Sequence, residues 1–209
     1  DPGFVQFFDT SGILLSTVTV GALPDMLSFT PNGRRLLVAN EGEPNSYNLP
    51  DSVDPEGSVS IIDMTVGAAN LTQADVRTAT FNDAIPKTNA SSIRIYGPGA
   101  TLAQDLEPEY IAVSHDSKTA WVTLQENNAI AILDIKDGVF TRLVGLGFKD
   151  HNSAGNGLDP NDTDGINIAN WPVFGMYQPD AIARFKALSM LRKKRETAID
   201  EDDAAAEEL

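Results

Sequence analysis

The stretch PDMLSFTPNGRRLLVA at residues 24–39 aligns without a gap on PEYIAVSHDSKTAWVT at residues 108–123. After a loop of different length, GSVSIIDM at 57–64 matches NAIAILDI at 128–135, and the phrase restarts with PDAIA at 179–183. Each unit has the order strand, polar turn, strand, loop, strand, which is typical of a β-propeller blade. The repeat therefore predicts an all-β fold, a β-propeller of four-stranded blades.

The spacing of the repeats limits how much of a propeller the chain can form. Propellers have about four to eight blades of roughly 40 residues, and only about two and a half blades fit here. We therefore predict a partial propeller over residues 1–183, which the chain enters in the middle of a blade. The remaining blades are expected from the same protein or from another chain. Residues 184–209 are predicted to form a helical or acidic, disordered tail outside the repeat.

Composition narrows the class of protein. The formal net charge of −15 argues against nucleic acid as a partner and favours cations. The chain has no cysteine, so it has neither disulfides nor thiol chemistry. No apolar stretch reaches the roughly 20 residues of a transmembrane helix. Sequons at Asn70, Asn89 and Asn161 suggest a glycoprotein, and together these features predict a secreted or cell-surface protein.

Acidic residues are concentrated in the loops, where propellers keep their chemistry. Asp25, Glu109 and Asp180 hold the same place in three units, directly after a proline, and Glu41 and Gln125-Glu126 hold equivalent places after the second strand. Equivalent positions of successive blades surround one axis, so we expect a partial ring of carboxylates that could bind calcium or another divalent cation. The alternative is solvated turns in which the carboxylates cap backbone N–H groups. The candidate metal ligands are Asp25, Glu41, Glu43, Asp54, Glu56, Asp105, Glu107, Glu109, Asp162, Asp164 and Asp180.

Other motifs give weaker indications of a functional site. The loop with Asp162 and Asp164 has part of a calcium-loop pattern but lacks the spacing of an EF-hand. His151, beside Asp150, is a candidate general base or metal ligand. The aromatic segment 171–177 is expected to be core between blades rather than a sugar-binding platform.

Several longer motifs resemble the choice-of-anchor I family. They are LPDM at 23–26, VANEGEP at 38–44, DPEGSVS at 54–60, GPGA at 97–100, QDLEPEY at 104–110, TAWVTLQENN at 119–128 and NWPVFGMYQPDA at 170–181. The resemblance covers roughly residues 3 to 183. It implies a secreted or surface-anchored propeller. The family includes mesenchyme-specific cell-surface glycoproteins of echinoderm skeleton-forming cells, which implies a link to biomineral formation, and bacterial proteins labelled alkaline phosphatase-like.

Three functions remain open at this point. The first is a non-enzymatic extracellular propeller that binds divalent cations and serves adhesion, matrix or mineral interaction. The second is a metal-dependent phosphoric ester hydrolase, in which acidic loops hold two or more ions that bind a phosphate and a basic group such as Arg94 or Lys149 faces the site. The third is a protein-interaction scaffold.

Overall fold

The computed structural model describes residues 1–46, 49–163 and 165–185, and the described part is mostly β-structure. Its one short α-helix, α1, spans Leu102–Asp105, and 3-10 turns span Met64–Val66, Ala68–Asn70, Gln73–Asp75 and Ala90–Ser92. The strands are β1 Pro2–Phe8, β2 Leu14–Ala22, β3 Pro24–Phe29, β4 Arg35–Asn40, β5 Ser58–Asp63, β6 Val76–Thr80, β7 Lys87–Thr88, β8 Pro108–Val113, β9 Thr119–Leu124, β10 Ala129–Asp134, β11 Val139–Gly145, β12 Lys149–Asp150 and β13 Phe174–Gly175.

Two complete blades form the centre of the molecule. Blade 1 is the sheet β3-β4-β5-β6, and blade 2 is β8-β9-β10-β11 with the short strand β7 added in parallel at its outer edge. Within each blade the neighbouring strands are antiparallel and follow one another along the chain. The first strands β3 and β8 contact each other across the two blades. The predicted β-propeller class is therefore confirmed, with the strands where the repeat places them.

Strands β1 and β2 form the outer half of a third blade, called here the half-blade. The third strand of each complete blade ends at an aspartate, Asp63 or Asp134, whose side chain accepts a backbone N–H of the following turn. Asp9 does the same directly after β1. Because β1 ends in the same way as the third strands β5 and β10, β1 and β2 correspond to third and fourth strands of a blade.

Alternation along the strands divides the core into two layers. Leu37, Val59 and Ile61 face blade 2 and are completely or almost completely buried there. Leu36 and Ile62, their neighbours in sequence, face the half-blade instead. Both faces of blade 1 are thus covered at its centre, which explains why β4 and β5 are apolar without interruption.

Tight turns join the first two strands of each blade, as predicted. Gly33 has a φ of +68° in the turn between β3 and β4, and Ser117 has a φ of +61° at the equivalent place between β8 and β9. Glycine takes this conformation without steric cost. The hydroxyl group of Ser117 also accepts the backbone N–H of Asn32 at 3.2 Å, so the two turns contact each other.

The chain after blade 2 is less regular. Strands β12 and β13 pair briefly, and Leu158 forms an isolated bridge with Ala169. The expectation that residues 171–177 form core is wrong for most of the segment, because Phe174 is 71% exposed and Tyr177 is 56% exposed. Among its aromatic residues only Trp171 is half-buried, and its indole N–H donates to the carbonyl of Leu158 at 3.0 Å. The predicted tail falls almost entirely on residues 186–209, which lie outside the described part of the chain.

Candidate functional site

The acidic residues singled out by the repeat lie at one end of the first strands. Asp25 and Glu109 are the second residues of β3 and β8. Glu41 follows β4 directly, and Glu126 lies two residues after β9. Charge repulsion from Glu126, Glu41, Asp25 and Asp180 acts on Glu109, so the two blades and the third repeat bring their carboxylates together. Asp25, Glu41, Glu107, Glu109 and Glu126 are called the axial cluster below.

Burial and repulsion by neighbouring carboxylates make ionisation of Glu41 and Glu109 unfavourable. Burial, followed by repulsion from Glu126, Glu41, Asp25 and Asp180, raises the pKa of Glu109 to about 8. Burial, followed by repulsion from Glu43, Asp25 and Glu126, raises the pKa of Glu41 to about 7. At neutral pH Glu41 and Glu109 therefore tend to hold protons, and a cation placed between them would remove the repulsion.

Two oxygens of the cluster accept no hydrogen bond in the described part of the chain. They are Oε2 of Glu109 and Oε2 of Glu126, and both are inaccessible to solvent. The other oxygens of these two groups share one donor, because the Gln125 amide nitrogen lies 2.9 Å from Glu126 Oε1 and 3.2 Å from Glu109 Oε1. In the opposite amide orientation the nitrogen would lie 3.4 Å from Asp180 Oδ1. We assign the first orientation because it gives the amide nitrogen two carboxylate acceptors at shorter distances.

Glu107 is held in the cluster by a tyrosine. Glu107 is 2% exposed, and its Oε1 accepts the Tyr96 hydroxyl at 2.9 Å. Burial raises the pKa of Glu107 to about 7, although the Tyr96 hydrogen bond lowers it, and repulsion from Glu126, Glu41 and Glu43 adds to the rise. The guanidinium carbon of Arg94 lies 3.7 Å from the centre of the Tyr96 ring. A cationic group therefore borders the cluster without forming an ion pair with Glu107.

A buried asparagine fixes the loop that carries Glu107. The side-chain oxygen of Asn127 accepts the Glu107 N–H at 3.1 Å, and its amide nitrogen donates to the carbonyls of Arg94 at 3.0 Å and Asp105 at 2.6 Å. Blade 1 approaches the same loop closely at Gly57, where a Cβ atom would lie 1.9 Å from the carbonyl oxygen of Leu106. Glycine is required there because any side chain would collide with backbone.

Asp105 is used for structure instead of facing the cluster. Its carboxylate accepts the N–H groups of Tyr96 and Gly97, as expected from the alternative hypothesis that loop carboxylates cap backbone N–H groups. Asp54 lies nearby, and burial, followed by repulsion from Asp105, raises its pKa. Asp54 Oδ1 is also buried without a partner in the described part. Glu43 is exposed at the edge of the cluster and repels Glu41.

The remaining candidate residues are not brought to the cluster. Glu56 and Asp162 are exposed, and neither contributes to the raised pKa values of the clustered glutamates. Asp164 lies outside the described residues. His151 Nδ1 is 2.8 Å from the carbonyl of Asn156, so this ring closes a local turn.

The described residues contain no group of three or more His, Asp or Glu side chains arranged to hold a metal ion. The carboxylates of the axial cluster lie near one another, but they would have to move closer together to coordinate an ion. Sequence reasoning left Glu126 out of the ligand candidates although it lies at the strand exit equivalent to Glu41. It missed Tyr96 altogether, because the loop carrying this residue has no counterpart in the first repeat.

A known protein family matches the chain. Residues 1–189 match the model of the choice-of-anchor I domain. No curated protein matches the chain. Among solved structures, Kuenenia stuttgartiensis hydrazine synthase is 17% identical, with a TM-score of 0.40 over 65% of this chain and 34% of that one. The Cps50 (Swd1) β-propeller domain of Myceliophteria thermophila is 14% identical, with a TM-score of 0.42 over 71% of this chain and 38% of that one. The chain thus spans little more than a third of the length of these structures. No helix in the described part is long and apolar enough to cross a membrane.

Proposed function

Because the chain belongs to the choice-of-anchor I family, we propose that it is a secreted or surface-associated β-propeller domain that binds a divalent cation at the axial cluster. Calcium is the first candidate, since it prefers several oxygen ligands and tolerates irregular geometry. The proposed role is adhesion, matrix contact or interaction with mineral. Two features support this role: the family is surface-associated, and the chain is acidic, with a net charge of −15.

The observation that carries this proposal is the pair of unpartnered oxygens on Glu109 and Glu126. A buried carboxylate oxygen without a donor costs stability, and here two of them belong to neighbouring glutamates that share the single amide of Gln125. A cation between the two glutamates would supply the missing positive partner for both. Glu41 from blade 1 is close enough to repel Glu109, so a small movement of its loop could complete the ligand set.

Calcium titration by calorimetry tests the proposal. The wild-type chain is compared with a Glu109→Gln/Glu126→Gln variant and with a Glu56→Gln/Asp162→Asn control, which removes the same charge from exposed positions outside the cluster. We expect binding by the wild-type and the control proteins, together with a rise in Tm relative to EDTA, and loss of both effects in the cluster variant. Equal binding by all three proteins would refute the site, and no binding by the folded wild-type protein would refute the function.

A metal-dependent phosphoric ester hydrolase is a second candidate. The observation that favours it is Arg94, which stacks on Tyr96 and lies 3.4 Å from the backbone carbonyl of Glu126 through Nη1. A guanidinium beside bound cations could hold a phosphate group. Hydrolysis of p-nitrophenyl phosphate is measured with calcium, magnesium or zinc, in the wild type and in Arg94→Gln. Metal-dependent turnover that Arg94→Gln abolishes would support this function, and no turnover with any ion would exclude it for these metals.

A further inference from the structure

Strand β8 contains a β-bulge at the residue that carries an axial carboxylate. The register of β8 against β9 shifts by one residue between Pro108 and Ile111. Glu109 and Tyr110 therefore lie together opposite the single residue Thr123. Two residues opposite one define a β-bulge, and a bulge redirects the side chains that it carries.

The bulge keeps the Glu109 carboxylate out of the core between the blades. Residues two apart share one face of a regular strand, so without the bulge Glu109 would lie on the face of Ile111 and Val113. These two residues are 3% and 6% exposed and belong to the apolar core between the blades. In the structure Glu109 Oε1 lies 3.2 Å from the amide nitrogen of Gln125 instead. The register shift thus places this carboxylate in the axial cluster.

Blade 1 has the same kind of irregularity, held by different groups. The register of β3 against β4 also shifts by one residue, and the extra residue is Asp25. Leu23 has a φ of +49°, which is costly for a residue other than glycine, and its carbonyl accepts the Glu41 N–H at 2.9 Å. Gln178 has a φ of +42° at the equivalent place in the third repeat. Each repeat therefore departs from regular strand geometry at its axial acid or just before it.

A buried hydroxyl group holds the bulge of β8. Thr123 is completely buried, and its Oγ1 accepts the Tyr110 N–H at 3.0 Å and donates to the Tyr110 carbonyl at 3.4 Å. Because a bulge interrupts the backbone ladder, this side chain supplies the partners that Tyr110 would otherwise lack on β9. The aligned residue of blade 1 is Ala39, which has no hydroxyl group. The contact is thus specific to blade 2.

We propose that Thr123 is a positioning residue for Glu109, whose carboxylate reaches the axial cluster only while the Thr123 hydroxyl holds the bulge. Without this hydroxyl the Tyr110 N–H loses its acceptor, and the bulge loses the contact that fixes it. The expected effect on calcium binding rests on the function proposed above. A ligand that is already held in place binds an ion at a smaller cost in ordering.

Calcium titration of Thr123 variants tests the consequence for binding. Thr123→Val removes the hydroxyl at similar volume, so we expect an affinity about ten-fold below that of the wild type. Thr123→Ala, which introduces the residue of blade 1, should behave in the same way. Thr123→Ser keeps the hydroxyl and should stay within about three-fold of the wild type.

Thr30→Val is the matched control. Thr30 is 2% exposed, and its hydroxyl also accepts a backbone N–H, from Arg35 at 3.1 Å, in the turn at the far end of β3 from the cluster. This variant should lose stability without losing calcium affinity. Circular dichroism verifies that each variant is folded under the conditions of the titration.

An NMR measurement without metal separates the role of Thr123 from the proposed function. We expect nuclear Overhauser effects between the Gln125 side-chain amide and the Glu109 side chain in the wild type, Thr123→Ser and Thr30→Val, and their loss in Thr123→Val and Thr123→Ala. This pattern would support the positioning role even if the wild type bound no calcium, a result that would refute the proposed function alone. Unchanged effects in the folded Thr123→Val or Thr123→Ala protein would overturn the positioning role. Equal losses of calcium affinity in Thr123→Val and Thr30→Val would also overturn it.

Discussion

Replacement of Glu109 by glutamine should stabilise the protein at alkaline pH in the absence of metal. The pKa of Glu109 is raised from 4.5 to about 8, so between these values the folded state holds a proton that the unfolded state has released. Stability due to this group is therefore greatest below pH 4.5 and falls as the pH rises towards 8. Glutamine carries no charge and removes this loss.

The size of the effect follows from the same shift. Ionising Glu109 in the folded protein, where its pKa is about 8 instead of 4.5, would lower the free energy of unfolding by about 5 kcal/mol. Partial access of solvent screens the charge and reduces this loss. We expect Glu109→Gln to exceed the wild type by about 1–2 kcal/mol in free energy of unfolding at pH 8 with EDTA, and by about zero at pH 4.5. With calcium at pH 8 the order should reverse, because only the wild type gains from the ion.

Urea unfolding at the two pH values, with and without calcium, measures these differences. Glu56→Gln is the matched control, since Glu56 is an exposed glutamate outside the axial cluster. A gain for Glu109→Gln that is the same at pH 4.5 and pH 8 would show that a general change of net charge is responsible. No gain at pH 8 would show that Glu109 ionises without opposition, and the reasoning about the cluster would be wrong.

Three further results are expected. Asn127→Ala removes a buried amide that holds the Glu107 loop. It should lower the free energy of unfolding, measured in urea, by about 2–3 kcal/mol. A loss below about 0.5 kcal/mol would contradict this role. Tyr96→Phe removes the hydrogen bond that lowers the pKa of Glu107, so this pKa should rise further in an NMR titration, and an unchanged value would refute the contact. The Thr65 and Arg35 hydrogen bonds hold the pKa of Asp63 at about 2, so the stability from Asp63 is present above pH 3.8 and is lost as the pH falls towards 2. Asp63→Asn should therefore cost about 1 kcal/mol at pH 7, and this cost should disappear as the pH falls below about 2.

Much of the fold could be predicted because the repeat carries it. The alignment of residues 24–39 with 108–123 predicts two hairpins, and the structure has them as β3–β4 and β8–β9. Apolar runs such as 129–133 predict strands covered on both faces. The exposure of Phe174 and Tyr177 could not be predicted, since aromatic composition indicates core only when another blade packs against the segment. The parallel pairing of β7 with β11 is also absent from the repeat.

The candidate site was only partly accessible to sequence reasoning. Symmetry of the repeat places Asp25, Glu41 and Glu109 near one another, as the structure does. It cannot distinguish carboxylates that face the axis from those that bond to their own loop. Asp105 is an example of the second kind, because its partners are the backbone N–H groups of a segment whose path the sequence does not specify.

The axial cluster crosses the seam between the two blades, with Glu41 on one side and Glu109 and Glu126 on the other. An ion shared across this seam would hold the two blades together reversibly. It could leave without breaking the backbone hydrogen bonds that hold each sheet together. Tension along the chain would load the seam first, because the two blades are joined by side-chain packing and the connection of residues 81–107, and not by a shared sheet. The mechanical resistance of such a protein would then follow the calcium concentration around the cell, rising and falling without any change in its sequence.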